Sequence, residues 1–308
     1  MIRLFPECPI HRIVSAVFLA WMIFSTSCRP AATRPVFDGD RAFTLLVRQT
    51  DLGPRTSGMA GWQRFQTMMS GFLDSLGVPC DTQAFVYEDY ITRDTLYFVN
   101  WIAHINPSSK NKLLIAAHYD CRPRADYDPD STRRNEPIIG ANDGASGAAI
   151  LMHLAELMAA HPPRIGVDLL FTDGEDYGPS GRENQYLLGA THFASHNTTP
   201  YRFGLLVDMV GDRDLRIYRE YFSELYAKSV NDKIWAAAAR LGVPQFVDSI
   251  KHDVLDDHLP LNSAGIPTAD IIDFDYPYWH TLADTPDKCD PASLTAVGRV
   301  VLEIIYAE

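Results

Sequence analysis

Short polar motifs that combine histidine with carboxylates recur along this chain at points where apolar segments end. They are His118-Tyr119-Asp120, Asn142-Asp143-Gly144, Glu175-Asp176, Asp208, Asp256-Asp257-His258 and Trp279-His280-Thr281. Imidazole nitrogens and carboxylate oxygens are the ligands that zinc uses in catalytic centres, and a carboxylate beside a metal ligand can move protons. The chain has no CxxC pair, which argues against a zinc site built from thiolates. The motifs therefore predict a zinc site made of histidine and carboxylate ligands.

Each motif alone also has a structural explanation. Asp143 could only cap the helix that follows it, the Glu175-Asp176 pair could be a solvated loop, and His280 could make an aromatic contact in the core. The joint pattern favours one site, because so many polar clusters at the ends of buried segments are improbable as independent accidents. The other histidines, His104 among them, lack this context and are interpreted as surface or helix residues.

The segments that carry the motifs have the patterns of buried strands and of helices. Lys112 to Ala117 and Ile165 to Thr172 are continuous apolar runs, as expected for strands buried on both faces. Additional strands are predicted at 82–88, 94–105, 203–210 and 268–272. Helices are predicted at 40–50, 59–76, 145–160, 188–196, 221–241 and 292–306. This alternation after an antiparallel start predicts an α/β fold, a three-layer α/β/α sandwich around a central mixed β-sheet.

The predicted fold also predicts where the polar motifs meet. In open sheets of this class, ligands bind beyond the carboxyl ends of the strands. His118 and Glu175 each follow a predicted strand, Asp208 comes after the apolar run FGLLV near the end of another, and His280 follows the last one. We therefore expect these side chains to converge on one edge of the sheet.

Composition limits the class of protein further. The chain has 308 residues, of which 46% are hydrophobic, so it can bury a sizeable core. Residues 38–308 are the length of one large α/β domain, which we expect to be the catalytic domain. The net charge of −12 argues against a nucleic-acid partner, which asks for a basic face.

The amino terminus has the pattern of an export signal. Arg3 and Arg12 precede an apolar run that is too short to span a bilayer and suits the core of a signal peptide. The small residues 25–27 and the single Cys28 then resemble a bacterial lipoprotein cleavage site. We therefore predict a signal peptide at 1–27, a lipid anchor on Cys28, a tether at 28–37 and an extracytoplasmic location. The alternative is an ordinary signal peptide with an incidental cysteine.

Taken in order, the six motifs resemble those of the zinc-dependent aminopeptidase and glutaminyl cyclase superfamily over about residues 45–306, and most resemble the bacterial glutaminyl-peptide cyclotransferases. The resemblance implies a single α/β/α domain with a mixed sheet. It also implies that Asp143, Asp176 and His280 are the ligands of the primary zinc. Glu175 matches the residue that acts as general base and acid.

The two branches of the superfamily use the remaining positions differently. In two-zinc aminopeptidases, residues matching His118 and Asp208 complete a second metal site, which shares Asp143. In glutaminyl cyclases one zinc is held, and the resemblance implies that Asp208 and Asp257 form a hydrogen-bonded pair beside the substrate amine. His118 and an aromatic wall at Trp279 then belong to the substrate pocket.

The resemblance leans toward the cyclase. Asp257 lies in a motif like the cyclase DDH sequence, and Trp279 precedes the last zinc ligand as it does in cyclases. Two features differ, because Asp176 stands where animal cyclases have Glu, and the loop after it offers only Tyr177 and Tyr186 as aromatic residues. We expect the substrate to be the amino terminus of a peptide or protein, whose glutamine is cyclised to pyroglutamate with release of ammonia. A two-zinc aminopeptidase and a catalytically silent protein of the same fold are the alternatives.

Overall fold

Strands and helices alternate along residues 34–308, the part of the chain that the computed structural model describes. The strands are β1 (Cys80–Glu88), β2 (Thr95–Ile105), β3 (Lys112–His118), β4 (Gly166–Thr172), β5 (Tyr201–Asp208), β6 (Ile217–Arg219), β7 (Phe246–Ile250) and β8 (Thr268–Ile272). The helices are α1 (Gly39–Thr50), α2 (Ala60–Leu76), α3 (Ala145–Ala160), α4 (Leu188–His196), α5 (Tyr221–Tyr226), α6 (Lys228–Leu241), α7 (His258–Ser263) and α8 (Pro291–Ala307).

Six of these strands form the central sheet, in the order β1-β2-β4-β3-β5-β8. The hairpin β1-β2 is antiparallel and joins β4 in antiparallel fashion, whereas β4, β3, β5 and β8 are parallel to one another. The parallel strands need crossover connections, and α3 and α4 lie within two of them. The predicted mixed sheet with an antiparallel start is therefore confirmed.

The two faces of the sheet are both covered. Along β3, Leu113, Ile115 and Ala117 belong to the larger hydrophobic core, and Leu114 and Ala116 belong to a second core on the opposite face. Successive side chains of a strand point to opposite faces, so an apolar run without alternation is what two covered faces require. The predicted three-layer α/β/α sandwich is confirmed.

The structure differs from the predicted elements after β5. The single helix predicted at 221–241 is divided at Ala227, whose φ of −135° lies outside the helical region. Its N–H closes α5 by donating to the carbonyl of Ser223, and its own carbonyl accepts from Val230 and Asn231 at the start of α6. The hydrophobic period continues across this break, so periodicity alone predicts one helix. The short strands β6 and β7 and helix α7 were not predicted.

No helix within residues 34–308 is both long and apolar enough to cross a lipid bilayer. The predicted signal peptide at 1–27, the lipid anchor on Cys28 and most of the tether at 28–37 lie outside the described residues.

Candidate metal centre

The carboxyl ends of neighbouring parallel strands carry the polar motifs. His118 is the last residue of β3, Asp208 is the last residue of β5, and Glu175 follows β4. Asp143 lies just before α3, and His280 lies in the loop after β8. The register of a parallel sheet brings such ends together, so the motifs meet at one edge, as predicted from the sequence.

Asp143, Asp176 and His280 form one buried group whose ligand atoms all lie within 4.8 Å of one another. Nε2 of His280 is 3.5 Å from an Asp143 oxygen and 3.2 Å from an Asp176 oxygen. Oδ2 of each aspartate is buried and has no hydrogen-bond partner in the structure. Buried carboxylate oxygens are normally satisfied, and two carboxylates with one imidazole are a ligand set of catalytic zinc sites. The three residues therefore fit a zinc ion.

A second group shares Asp143 with the first. It consists of His118, Asp143 and Asp208, again with ligand atoms within 4.8 Å. Nε2 of His118 lies 2.9 Å from Oδ1 of Asp208 and 3.3 Å from Oδ1 of Asp143. This arrangement could hold a second metal ion, or it could serve as a hydrogen-bonded group beside a single metal ion.

Two further aspartates hold the backbone of the ligand loops. Oδ1 and Oδ2 of Asp284 accept from the N–H groups of Asn142 and Asp143, at 2.8 and 3.1 Å. In the same way the two oxygens of Asp120 accept from the N–H groups of Glu175 and Asp176, both at 3.2 Å. In each case one carboxylate binds two consecutive backbone N–H groups. The backbone that carries Asp143 or Asp176 is therefore held in one orientation.

Gly144 explains part of the Asn-Asp-Gly motif. Its φ of +96° is unfavourable for other residues, and a Cβ there would lie 2.2 Å from the carbonyl oxygen of Asp120 and 3.1 Å from the His118 ring. Only glycine allows helix α3 to begin this close to the metal ligands.

Burial and charge act differently on the three acidic residues at this centre. Burial and the charge of Asp176 raise the pKa of Asp143 to about 6. Burial and the charge of Asp176 also raise the pKa of Glu175 well above its usual range. Burial acts in the same direction on Asp176, but the charges of His280 and Arg122 outweigh it and lower the pKa of that carboxyl. The surroundings thus favour the ionised form of Asp176 and make it easier for Glu175 to accept a proton.

A cavity of about 40 Å³ opens beside the ligands. It is lined by Asp143, Glu175, Asp176, Tyr186, Asp208, Met209, Val254, Leu255, Asp256, Ile272, Phe274, Trp279 and His280.

Trp279 is one wall of this cavity. Its ring stacks on His280 with centroids 3.9 Å apart and on Tyr127 with centroids 5.1 Å apart, and Phe274 meets it edge-on at 4.9 Å. Tyr186 lines the cavity as well, whereas Tyr177 bonds Asp89 through its hydroxyl and does not line it. Of the two tyrosines that the sequence offered, Tyr186 is therefore the one at the site.

The structure corrects one sequence-based assignment in the Asp256-Asp257-His258 motif. Asp256 lines the cavity, and the charge of Asp208 is among the causes that, after burial, raise the pKa of Asp256 well above its usual range. Asp257 does not line the cavity, and it accepts a hydrogen bond from the Thr172 hydroxyl. Asp257 has the backbone angles of a helix, φ −54° and ψ −20°, where the chain turns into α7. The residue of this motif that lines the cavity with Asp208 is therefore Asp256 and not the predicted Asp257.

Some of the supporting residues were not predicted from the sequence. Asp284 and Arg122 bind the ligand residues directly, yet neither belongs to a recognisable spacing pattern. Their contacts follow from loop conformations, which no periodicity encodes.

The model of Peptidase family M28 matches residues 100–305, which is more than half of the chain. The chain therefore belongs to peptidase family M28.

Solved structures and related sequences that resemble this chain include glutaminyl cyclases and aminopeptidases. The glutaminyl cyclase of Bacteroides thetaiotaomicron, solved with N-acetylhistamine, is 36% identical with a TM-score of 0.86, covering 89% of this chain and 99% of that one. A leucine aminopeptidase precursor from the same organism is also 36% identical with a TM-score of 0.87, covering 90% and 99%. The glutaminyl-peptide cyclotransferase-like protein of Mus musculus is 25% identical over 284 residues, 82% of this chain and 72% of its own.

The related structures include glutaminyl cyclases and a Zn-dependent exopeptidase. These relatives and the donor groups at the sheet edge together imply zinc as the metal.

Proposed function

We propose that this protein is a zinc-dependent glutaminyl-peptide cyclotransferase, which converts the amino-terminal glutamine of a peptide or protein into pyroglutamate and releases ammonia. The observation that carries the proposal is the position of Asp256 beside Asp208 on the wall of the cavity. Two neighbouring carboxylates there can share protons and hold a substrate amine, which is what an internal attack by that amine requires. The structural likeness to glutaminyl cyclases over nearly their whole length supports the same conclusion.

The ligand residues would hold one metal ion. Zinc held by Asp143, Asp176 and His280 would supply a Lewis acid that polarises the side-chain carbonyl of the bound glutamine. Asp120 and Asp284 support this role from outside the ligand set, because they fix the backbone from which two of the ligands project.

Proton transfer falls to Glu175. Its carboxyl group lines the cavity next to the ligands, and it is itself outside the group of ligand atoms. It takes a proton from the substrate α-amine as the amine nitrogen bonds to the side-chain carbonyl carbon, and it passes that proton to the amide nitrogen that leaves as ammonia. Asp208 and Asp256 orient the amine, and Trp279 packs against the glutamine side chain.

A two-zinc aminopeptidase is the second candidate, and the buried group of His118, Asp143 and Asp208 is the observation that favours it. In that enzyme the second group would hold another zinc, and Glu175 would activate a water for attack on the first peptide bond. Metal analysis of the purified protein separates the two candidates. About one zinc per chain is expected for the cyclase, and about two for the aminopeptidase.

The activity test uses two substrates on one preparation. A peptide with amino-terminal glutamine should release ammonia without forming new amino termini, and a leucine anilide should remain intact. Release of free amino acids from the peptide, or cleavage of the anilide at a comparable rate, would establish the aminopeptidase instead.

The organisation of the chain is part of the same proposal. Residues 1–27 act as a lipoprotein signal peptide, residues 28–37 tether a catalytic domain at 38–308, and lipid on Cys28 holds the enzyme on the outer side of a bacterial membrane. A diacylated and amino-acylated cysteine anchors stably, whereas one lipid chain would not. The Cys28→Ala form should be recovered in the soluble fraction. A wild-type protein that is already free of the membrane would contradict the anchor.

A further inference from the structure

Arg122 is a fully buried arginine in the loop that follows β3. A buried guanidinium is tolerated only when its donors are paired, so its partners indicate what it is used for. Nη1 donates to Oδ1 of Asp176 at 2.8 Å, Nη2 donates to the hydroxyl of Tyr186 at 2.7 Å, and Nε donates to Oδ2 of Asp126 at 3.1 Å. Two of these three partners belong to the candidate site.

The contact with Asp176 fixes a metal ligand. Asp176 is buried and carries one oxygen without any hydrogen-bond partner, while the other accepts from Arg122. Among the ion pairs of residues 34–308, Arg122 is the only lysine or arginine that pairs with a ligand of either metal group. The guanidinium therefore places a fixed, planar set of donors against this carboxylate and sets its direction.

The contact with Tyr186 reaches the cavity wall. Arg122 holds the hydroxyl of Tyr186, and the guanidinium carbon lies 5.2 Å from the centre of the ring. The tyrosine lines the cavity together with Glu175 and Asp176. One side chain thus joins a metal ligand to an aromatic wall of the pocket, although it does not line the cavity itself.

We propose that Arg122 is a positioning residue that sets the geometry of the metal ligand Asp176 and of the pocket wall Tyr186 at the same time. Its effect on the metal requires only the ligand set, whereas its effect on the pocket rests on the proposed cyclase function. Neither role requires Arg122 to touch the substrate.

The test compares Arg122→Lys with Arg55→Lys. Lysine keeps the buried charge in both variants, but one ammonium cannot reproduce the fork that reaches both Asp176 and Tyr186. Arg55 is the matched control, because it is also fully buried but its guanidinium donates only to backbone carbonyls and bonds no side chain of the site. Zinc release into an excess of chelator is followed for both zinc-loaded proteins, together with the melting temperature.

Loss of a residue that hydrogen-bonds a metal ligand typically weakens metal affinity about ten- to a hundredfold, so Arg122→Lys should release zinc faster than wild type by about that factor. Arg55→Lys should lower the melting temperature but release zinc at the wild-type rate. Equal zinc release from the two variants, or an unchanged rate in Arg122→Lys, would overturn the proposal. If Arg122→Lys does not fold, Asp126→Asn carries the test, because it loosens Arg122 from a partly exposed position. That variant should also release zinc faster, and an unchanged rate would overturn the proposal.

Tyr186→Phe tests the second contact. It removes only the hydroxyl that Arg122 holds, so zinc release should be unchanged while KM for a glutaminyl peptide rises several-fold and kcat changes little. An unchanged KM would overturn the role assigned at the pocket wall. Zinc release is measured without substrate, so a protein that fails to cyclise glutamine would refute the proposed function and leave the inference on the metal ligand standing.

Discussion

Strand β4 has a buried acid near its start, and other buried acids follow its end. The two regions differ in how many hydrogen-bond donors surround the acids. Asp168, the third residue of the strand, is fully buried. It accepts from Lys112 at 3.0 Å, from Tyr201 at 2.7 Å and faces Nδ1 of His104 at 2.8 Å. Burial raises the pKa of Asp168, but these donors outweigh it, and the pKa is lowered.

Three buried acids beyond the carboxyl end of the sheet, and Asp270 in the middle of β8, each have at least one oxygen that lacks such a donor. Oxygens of Asp143, Asp176, Asp256 and Asp270 are buried and have no hydrogen-bond partner in the structure. Burial, followed by the charges of neighbouring acids, raises the pKa of Asp256 and of Asp270 well above the usual range. Only Asp176, which pairs with Arg122, has a lowered pKa among these four.

This difference separates structural acids from functional ones. A buried carboxylate that serves only the fold is surrounded by donors, because an unsatisfied oxygen costs stability. Acids left without donors cost stability in the free protein, and they persist where a metal ion or a substrate supplies the missing partner. We therefore expect that the unpaired acids at the carboxyl edge of this sheet lower the stability of the free protein and are kept for their function. Substitutions of paired and unpaired acids test this expectation.

The largest effect is expected from Glu175→Gln. The variant keeps the size and hydrogen-bonding reach of the side chain but cannot carry a proton. General acid–base groups contribute about a hundred- to ten-thousandfold to rate, so turnover should fall by at least about a hundredfold. The melting temperature and the zinc content should match those of the wild type, measured on the same preparation.

Asp176→Ala is the control for that variant. It removes one of the three protein ligands, so it should lose zinc as well as activity. If Glu175→Gln lost its zinc while Asp176→Ala kept it, the roles within the pair would be reversed. If neither variant changed activity, the active site would lie elsewhere.

The next effect in size is on stability, from Asp168→Asn. Removal of this charge leaves Lys112 and His104 without their shared buried partner, which should lower the free energy of unfolding by about 3 kcal/mol. Urea unfolding measures this loss. Activity per folded molecule should not change, because Asp168 lies outside the cavity. A loss below about 1 kcal/mol would show that its donors do not stabilise the fold.

The same substitution at Asp270 should cost much less. Asp270 is as buried as Asp168, but both of its oxygens lack a donor. Asp270→Asn replaces a buried carboxyl group that accepts no hydrogen bond, so the free energy of unfolding should change by less than about 1 kcal/mol or should increase. A loss as large as that of Asp168→Asn would contradict the distinction between buried acids that have donors and buried acids that lack them.

The smallest effect is a difference in pH dependence. Because the pKa of Asp168 is lowered in the folded protein, its contribution to stability is fully present above pH 3.8, the ordinary pKa of an aspartate. This contribution is lost as the pH falls through the pKa of the folded state. The hydrogen bond that His104 donates to Asp168 raises the pKa of His104, so its contribution to stability is present below pH 6.5 and is lost as the pH rises through the folded value. The difference in free energy of unfolding between wild type and Asp168→Asn should therefore be largest between pH 3.8 and pH 6.5. A difference that stays constant from acid to alkaline pH would show that the network is not ionised as described.

The sequence predicted the parts of the molecule that depend on periodicity and strand ends. The buried runs ending at His118 and at Thr172, together with the motifs after them, predicted both the α/β sandwich and the edge at which the ligands meet. The sequence could not decide between Asp256 and Asp257, because that choice depends on the direction in which an irregular loop enters α7. His104 was interpreted as a surface or helix residue, yet it lies on β2 and pairs with Asp168 across the sheet.

The supporting contacts were beyond sequence analysis for a related reason. Asp284 bonds the backbone of Asp143, some 141 residues away in the chain. Arg122 reaches Asp176 from another loop, 54 residues away. Contacts of this kind depend on how two loops pack after the sheet has formed, and no local pattern specifies them.

The most direct test of the account is the identity of the nucleophile. A glutaminyl peptide is incubated with the zinc-loaded enzyme in water enriched in heavy oxygen, and the product is analysed by mass spectrometry. If the substrate amine attacks, the peptide loses one ammonia and gains no heavy oxygen. Incorporation of heavy oxygen into a glutamate side chain, or into a carboxyl group released by cleavage of the first peptide bond, would show that water attacks and would contradict the cyclisation.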